Sequence, residues 1–183
     1  KLVVEGPADY IYLTSASRHL SELKRKGLDP KWRIVPVGGI DKIPTFVALL
    51  GTHLDVTVLV DSRGSQHQKL SHLISQGILQ QQRLISVGQV LEVSSADIED
   101  MFTVHEYLKL YNAAFSQSVS VSKLPPGSTI LQRLEQHQGS KFDHLLPALS
   151  LLSSQSDFWK TADASTVDHF ERLFGLINAT LPG

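Results

Sequence analysis

Short apolar runs alternate with segments of helical periodicity through the first 115 residues of this 183-residue chain. The runs lie at 2–4, 32–37, 56–60 and 83–88, and a helix-length segment follows each of them. Strands separated by helices of about 10–15 residues form parallel sheets, because each crossover helix returns the chain to the same end of the sheet. The sequence therefore predicts an α/β fold with a mainly parallel sheet flanked by helices.

Acidic residues follow these apolar runs. Glu5 comes directly after the first run and Asp61 directly after the third, while Asp9 lies one helical turn beyond Glu5. The segment ADIED, residues 96–100, adds further carboxylates before the next helix. Ligands of parallel sheets bind at the carboxyl ends of the strands, so we expect these acids to meet at one edge. Each acid alone is equally typical of a helix N-cap or a dipole partner.

The negative charge of a carboxylate cluster has to be compensated. Packing carboxylates together costs several kcal/mol in like-charge repulsion, unless cations neutralise them. Sites made only of oxygen ligands suit Mg²⁺ or Mn²⁺ rather than zinc. Two such ions about 4 Å apart can stabilise both the attacking and the leaving oxygen of a phosphodiester displacement. The pattern therefore predicts a site for Mg²⁺ or Mn²⁺ that could support phosphodiester chemistry.

Composition sets broader limits. Lys and Arg (17) nearly balance Asp and Glu (18), so no overall basic charge indicates nucleic acid. The chain has no cysteine, which excludes disulfides and thiolate zinc sites and permits a reducing compartment. It has no apolar stretch of membrane-spanning length and no basic-then-apolar leader. We therefore expect a cytoplasmic protein without a membrane span, and the abrupt start at Lys1 suggests a piece of a longer chain.

The remainder of the chain has a different character. Residues 116–128 are polar and rich in Ser and Pro, which predicts a linker. Three helical patterns follow, at 129–138, 142–154 and 165–181. The expected organisation is a catalytic α/β domain over 1–115, a linker over 116–128, and a smaller α-helical module over 129–183 that completes the active site.

Several segments carry a family resemblance. LVVEGPADYIYL, VPVGGIDKIPTFVALLG, VTVLVDSRG and ADIEDMFTVHEYLKLYNAAF, in this order, are similar to the Toprim domain of the OLD (overcoming lysogenization defect) endonucleases. KFDHLLPALSLL and VDHFERLFGLIN resemble the helical region that ends those proteins. The resemblance implies a metal-dependent DNA endonuclease that uses two Mg²⁺ or Mn²⁺ ions. It also implies a larger ATPase–nuclease, whose ATPase domain precedes this region, and a helicase-like partner protein.

The resemblance also implies roles for individual acids. Glu5 and Asp61 match catalytic metal ligands, and Asp9 matches a second acid that the family often carries one turn after the first. The third position of the family's Asp-x-Asp is here Arg63, which cannot bind a cation. We expect Asp97 and Glu99 to supply the missing ligands. Asp100 is interpreted as a residue of the helix N-terminus.

Other site residues are implied for phosphate rather than metal. Gly38 and Gly39 would let the backbone approach a phosphate closely, although a plain turn explains them equally well. Lys141 matches the family's active-site lysine of the helical region, and Lys160 is its rival. The pairs Asp143–His144 and Asp168–His169 are interpreted as structural, because adjacent residues of a helix point apart.

Alternative functions stay open. A primase or topoisomerase can share the same fold, but no tyrosine is placed as a topoisomerase nucleophile. A receiver-like signalling domain would need a lysine after the fourth strand, and none follows it. Arg63 also keeps a non-catalytic Mg²⁺-binding or interaction module possible. The chain lacks a GxxxxGK[ST] segment, so this part of the protein is not expected to hydrolyse ATP.

Overall fold

The computed structural model describes residues 1–50, 55–62 and 66–181. In this part of the chain the strands are β1 (Leu2–Val4), β2 (Ile34–Pro36), β3 (Thr57–Val60) and β4 (Leu84–Ser86). The helices are α1 (Pro7–Glu22), α2 (Ile43–Leu50), α3 (Gln66–Ser75), α4 (Val87–Leu91), α5 (Val104–Phe115), α6 (Ile130–Gln138), α7 (Leu145–Ser153), α8 (Gln155–Lys160) and α9 (Ala164–Asn178).

The four strands of the described part form one parallel sheet in the order β2-β1-β3-β4. Leu2 pairs with Ile34 on one side and with Thr57 on the other, so β1 lies inside the sheet. The predicted α/β class with a parallel sheet is confirmed. Because all strands run the same way, their carboxyl ends meet at a single edge.

The two faces of the sheet support two hydrophobic cores. Leu2 and Val4 pack into the larger core with α1, α5, α7 and α9, whereas Val3 between them packs into a smaller core with α2 and α3. This alternation follows from the two-residue period of a strand. The larger core continues from the sheet into the C-terminal helices.

Helix α1 ends earlier than the sequence pattern indicates. Apolar residues at helical spacing predict a helix over residues 9–26. The helix stops at Glu22, and Lys24 adopts a left-handed conformation with φ of 57°. The backbone amide of Arg25 then donates to the carbonyl of Leu20 at 2.8 Å, which closes the helix. The Arg25 guanidinium bonds Asp168 of α9 at 2.6 Å, so the basic segment leaves α1 to hold the C-terminal helix.

The fourth strand is also shorter than expected. The apolar run at 83–88 predicts a strand, but its last residues begin helix α4. The hydroxyl of Ser86 accepts a hydrogen bond from the amide of Gln89 at 3.3 Å and caps this helix. A local cap therefore outweighs the strand preference of Val87.

The C-terminal part contains four described helices, so the prediction of three is wrong. The additional helix is α8, which the polar segment between the second and third patterns does not indicate. Phe158 and Trp159 of α8 are buried against Phe102 and Phe170. Tertiary burial of two aromatic rings stabilises a helix too short to be recognised by periodicity.

Residues 116–128 are held by several hydrogen bonds. The side-chain amide of Asn112 donates to the carbonyl of Val119 and accepts from its amide, both at 2.9 Å. The guanidinium of Arg133 donates to the carbonyl of Pro125 at 2.9 Å. The division of the chain at residues 115 and 128 stays a prediction.

Candidate active site

The carboxyl edge of the sheet brings Glu5 and Asp61 together. Glu5 follows β1, Asp61 follows the neighbouring β3, and the Glu5 carboxylate accepts a hydrogen bond from the Asp61 backbone amide at 3.0 Å. The hydroxyl of Ser62, the next residue, accepts from the amide of Gly88 at 2.6 Å. Both acids therefore stand where the parallel topology predicts them.

The glycine turn after β2 borders the same edge. Gly38 and Gly39 have φ of 78° and 125°, values that residues with a side chain rarely adopt. The Gly39 amide donates to the backbone carbonyl of Glu5 at 2.7 Å. A Cβ atom on Gly38 would lie 3.3 Å from the Lys42 ammonium, so this amino group lies close to the turn. Lys42 is a neighbour of the site that no sequence pattern indicates.

Asp9 is both a capping residue and part of the edge. Its carboxylate accepts a hydrogen bond from the Gly6 amide at 2.7 Å, and the side chain is 8% exposed. Burial raises the pKa of Asp9 to about 6, although the hydrogen bond from Gly6 opposes this rise. The two sequence interpretations of Asp9, helix cap and site residue, are compatible in one position.

The ADIED segment is bound to the strand-end acids. It leads into a 3₁₀ turn at Ile98–Met101, and the Ile98 amide donates to the Asp61 carboxylate at 2.9 Å. The Asp100 carboxylate accepts from the Asp97 amide and from the Ile130 amide at the start of α6, both at 2.8 Å. Asp100 thus holds the segment in place, whereas Glu99 reaches the cleft.

Glu99 and Asp61 carry strongly perturbed pKa values. Burial raises the pKa of Glu99 well above its usual range, and the charges of Asp9 and Asp97 raise it further. Burial also raises the pKa of Asp61, together with the charges of Glu5 and Glu99. These carboxylates are close enough to oppose one another's ionisation. Carboxylates with pKa values perturbed in this way are typical of functional sites, although ion-pair networks also produce them.

Two tyrosines are buried near Glu99. Tyr12 and Tyr107 are fully buried, and the pKa of each hydroxyl is raised by burial and by the charge of Glu99 among other groups. Both lie in helices, α1 and α5, as their sequence patterns indicate. Neither can act as an exposed nucleophile.

A cleft of about 490 Å³ opens above these acids. It is lined by the edge residues Glu5, Gly6, Pro7, Ala8, Asp9, Gly38, Gly39, Asp61, Ile98 and Glu99, and by the C-terminal segment Phe142, Asp143, His144 and Leu145. Asp97 is 1% exposed and is not part of this lining. Four of the five proposed metal ligands therefore share the cleft with both glycines, and the fifth does not reach it.

Asp143 and His144 are cleft residues that the sequence did not indicate. They lie just before α7 and enter the lining through tertiary packing of the C-terminal helices, which no sequence spacing encodes. His169, by contrast, bonds the Met101 carbonyl through Nδ1 at 3.1 Å, as expected for a structural histidine. Proximity to an aspartate in sequence does not distinguish the two.

The two candidate lysines differ in position. Lys141 is exposed and precedes Phe142 of the cleft lining. Lys160 bonds Asp157 at 3.1 Å and lines a different cleft with Arg18 and Trp159. The geometry supports Lys141 over Lys160 as a neighbour of the acids. Arg63 lies outside the described residues.

The arrangement is not that of a formed metal centre. Within the described residues, no three His, Asp or Glu side chains are grouped so that they could hold a metal ion together. Glu5, Asp9 and Asp61 each direct an oxygen at a backbone amide. The side chains of these acids offer only oxygen atoms as metal ligands, and Mg²⁺ and Mn²⁺ prefer oxygen ligands.

No helix in the described part of the chain combines the length and apolar character needed to cross a bilayer. Comparison of the chain with protein-family models, with curated proteins and with solved structures found no match.

Proposed function

We propose that this chain is a metal-dependent DNA endonuclease domain, which hydrolyses phosphodiester bonds with two Mg²⁺ or Mn²⁺ ions. The observation that supports it most is the group of four strand-edge carboxylates in the cleft, Glu5, Asp9, Asp61 and Glu99. Burial and the charges of neighbouring acids raise the pKa values of Asp61 and Glu99 well above their usual range. Such a cluster is costly unless a cation binds it.

The residues fit the proposed ions by charge and donor type. The ions would be held at the carboxyl edge of the sheet by Glu5, Asp9, Asp61 and Glu99. Asp97, which is buried outside the cleft lining, would add negative charge nearby. Bound ions of this kind lower the pKa of water and stabilise the charge that develops on a phosphate. Before any ion binds, the backbone amides that now contact Glu5, Asp9 and Asp61 keep their carboxylates in place.

The chain's own groups have separate tasks in this proposal. Gly38 and Gly39 leave the backbone uncovered beside the cleft, so that a phosphate can approach it. Lys42 and Lys141 place positive charge near its rim, where a polyanionic strand would otherwise meet only carboxylates. The larger protein that we infer adds an ATPase domain, acts on DNA with a helicase-like partner protein, and works in the cytoplasm.

The decisive experiment measures cleavage of supercoiled plasmid by the purified chain in Mg²⁺ or Mn²⁺. Glu5→Ala and Asp61→Ala should abolish cleavage while circular dichroism shows an intact fold. Asp157→Ala is the matched control, since this acid is exposed and lies outside the cleft lining. A folded Glu5→Ala or Asp61→Ala protein that cuts at the wild-type rate would overturn the proposal.

A non-catalytic Mg²⁺-binding or interaction module is the second candidate. Arg63 favours it, because a cation stands where the resemblance implies a further metal-binding acid. Titration with Mn²⁺, followed by electron paramagnetic resonance, separates the two. One bound ion at saturation and no cleavage at high protein concentration would favour the module, whereas two ions with cleavage would favour the nuclease.

A further inference from the structure

His144 is the one residue of the described cleft lining whose side chain can donate an N–H hydrogen bond. The other lining side chains are carboxylates, apolar groups or absent, as in the glycines. A phosphate that enters this cleft would meet five carboxylates and a single imidazole. The imidazole is therefore the natural side-chain partner for a phosphate oxygen there.

The ring of His144 is held from two sides. Its Nε2 lies 3.5 Å from a carboxylate oxygen of Glu135 on α6. On another side, the aromatic ring of Phe142 contacts the imidazole, with the two ring centroids 4.9 Å apart and the two ring planes at 61°. Phe142 packs in turn against Tyr111 and Phe115. A histidine on a plain solvated surface has no such constraints.

Glu135 lies beside Nε2 rather than Nδ1. Nδ1 is therefore the ring nitrogen that this carboxylate leaves available to a molecule in the cleft that His144 lines. In the doubly protonated form, Nδ1–H is a donor with a full positive charge on the ring. A charged donor of this kind matches a phosphate and is poorly suited to binding a cation.

We propose that His144 is a substrate-contacting residue, which donates a hydrogen bond from Nδ1 to a phosphate oxygen of the DNA strand, and that Glu135 is its positioning residue. The inference rests on the proposed function for the identity of the strand. It adds a contact from the C-terminal helices that is independent of Lys141 and of the metal ligands.

The first test separates substrate contact from metal binding. His144→Gln should lower kcat/KM for a short duplex by about 10–100-fold, the range expected for one charged contact to a phosphate. Mn²⁺ affinity and the number of bound ions should stay unchanged. His137→Gln is the matched control, because His137 is an exposed residue two positions from Glu135 on the same helix. Wild-type cleavage by folded His144→Gln, or a tenfold loss of Mn²⁺ affinity, would overturn the assignment.

The second test addresses Glu135. Glu135→Gln should lower kcat by about 3–10-fold with KM unchanged, because the ring remains but its orientation is less restricted. In the His144→Gln background the same change should have no further effect, as for two residues that act as a unit. Additive losses would show that Glu135 acts by another route.

Binding without turnover distinguishes failure of this inference from failure of the proposed function. Anisotropy of a fluorescein-labelled 20-nucleotide single strand in Ca²⁺ should show about tenfold weaker binding for His144→Gln than for His137→Gln. If the wild type binds but never cleaves in Mn²⁺, and this difference persists, the nuclease proposal falls while the His144 contact stands. If wild type and His144→Gln bind equally, the contact is wrong.

Discussion

Two glutamates of this protein are equally buried but differ in the groups that surround their carboxylates. Glu99 in the cleft and Glu106 in α5 are each 2% exposed. Glu106 accepts hydrogen bonds from the amide and hydroxyl of Thr103 at 2.8 and 2.9 Å, from the Asp163 amide at 2.7 Å, and from the Thr166 hydroxyl at 2.5 Å. Glu99 instead lies among acids whose charges raise its pKa.

The surroundings distinguish a buried carboxylate that meets hydrogen-bond donors from one that meets other acids. Four donors surround Glu106, so its charge is compensated by the fold, and it joins α5 to the start of α9. The charge of Glu99 is opposed by the neighbouring acids Asp9 and Asp97, and in the proposed function a bound cation would compensate it. Burial alone carries no such information.

The largest expected effect concerns activity. Glu99→Gln removes one negative charge and one metal ligand, so cleavage in Mn²⁺ should fall by about 100-fold or more if the proposed function holds. The melting temperature of the metal-free protein should not fall, since a buried, repelled charge is lost. Plasmid cleavage and calorimetry measure the two effects. A clear loss of stability in Glu99→Gln would place Glu99 in the same class as Glu106.

Substitution of Glu106, by contrast, should change the stability of the fold alone. Glu106→Ala leaves several buried donors without an acceptor, so the free energy of unfolding should fall by about 3 kcal/mol or more. Urea unfolding provides the measurement. Glu106→Gln keeps one acceptor oxygen, so its free energy of unfolding should lie between those of the wild type and Glu106→Ala. Unchanged stability in Glu106→Ala would show that the four donors do not depend on this carboxylate.

The third prediction uses pH. An acid whose pKa is higher in the folded than in the unfolded state binds its proton more tightly when folded, so the free energy of unfolding falls as pH rises between the two values. For Asp9 this window runs from 3.8 to about 6. The loss should be on the order of 3 kcal/mol, because burial opposes ionisation.

Unfolding in EDTA across this pH range tests the sign. Asp9→Asn should flatten the slope between pH 4 and 6, whereas the exposed control Asp157→Asn should leave it unchanged. The raised pKa values of Asp61 and Glu99 should add to the decline as pH rises through and beyond the usual range of a carboxylate. A wild-type protein that gains stability over this range would contradict the description of the cleft.

A smaller effect is expected at the glycine turn. Gly38→Ala forces a side chain into a conformation with φ of 78° and against the Lys42 ammonium at 3.3 Å. The cost should be about 1 kcal/mol, because the lysine end can move but the backbone strain remains. Thermal unfolding measures it, and Gly175→Ala inside α9, where no atom lies within 4 Å of the added Cβ, is the control.

The smallest effect is expected at Lys160. This side chain is 71% exposed and its Asp157 partner 82% exposed. Lys160→Ala should therefore change stability by less than about 0.5 kcal/mol and leave cleavage unchanged. Lys141→Ala should be equally neutral for stability but slow cleavage without altering Mn²⁺ occupancy. Equal cleavage by both variants would remove Lys141 from the site.

The sheet edge could be predicted because it depends on local signals. Strand-length runs ending at Glu5 and Asp61, joined by helical segments, leave few topologies other than a parallel sheet with both acids at one end. The wall of the cleft could not be predicted in this way. Phe142 and His144 reach the acids only through packing of α7 on α1 and α5, and α8 exists because of the burial of Phe158 and Trp159.

The position of Asp97 outside the cleft lining could not be predicted from the sequence either. The sequence indicates that ADIED lies near Asp61, and the Ile98 amide does contact the Asp61 carboxylate. Which of Asp97 and Glu99 faces the cleft depends on the 3₁₀ turn that Asp100 holds through the distant Ile130. Alternation along a short loop is too weak a pattern to decide this.

The bond between Asp100 and Ile130 has a consequence for how the protein is made. A ribosome delivers the acids of the sheet edge first, at about 5–20 residues per second, and the segment that anchors their loop only afterwards. Phe142, Asp143, His144 and Leu145, which form the wall, emerge later still. During synthesis the acidic edge is therefore present without its anchor or its wall. Whatever the cleft binds, the growing chain can form the complete cleft only after these later residues have left the ribosome.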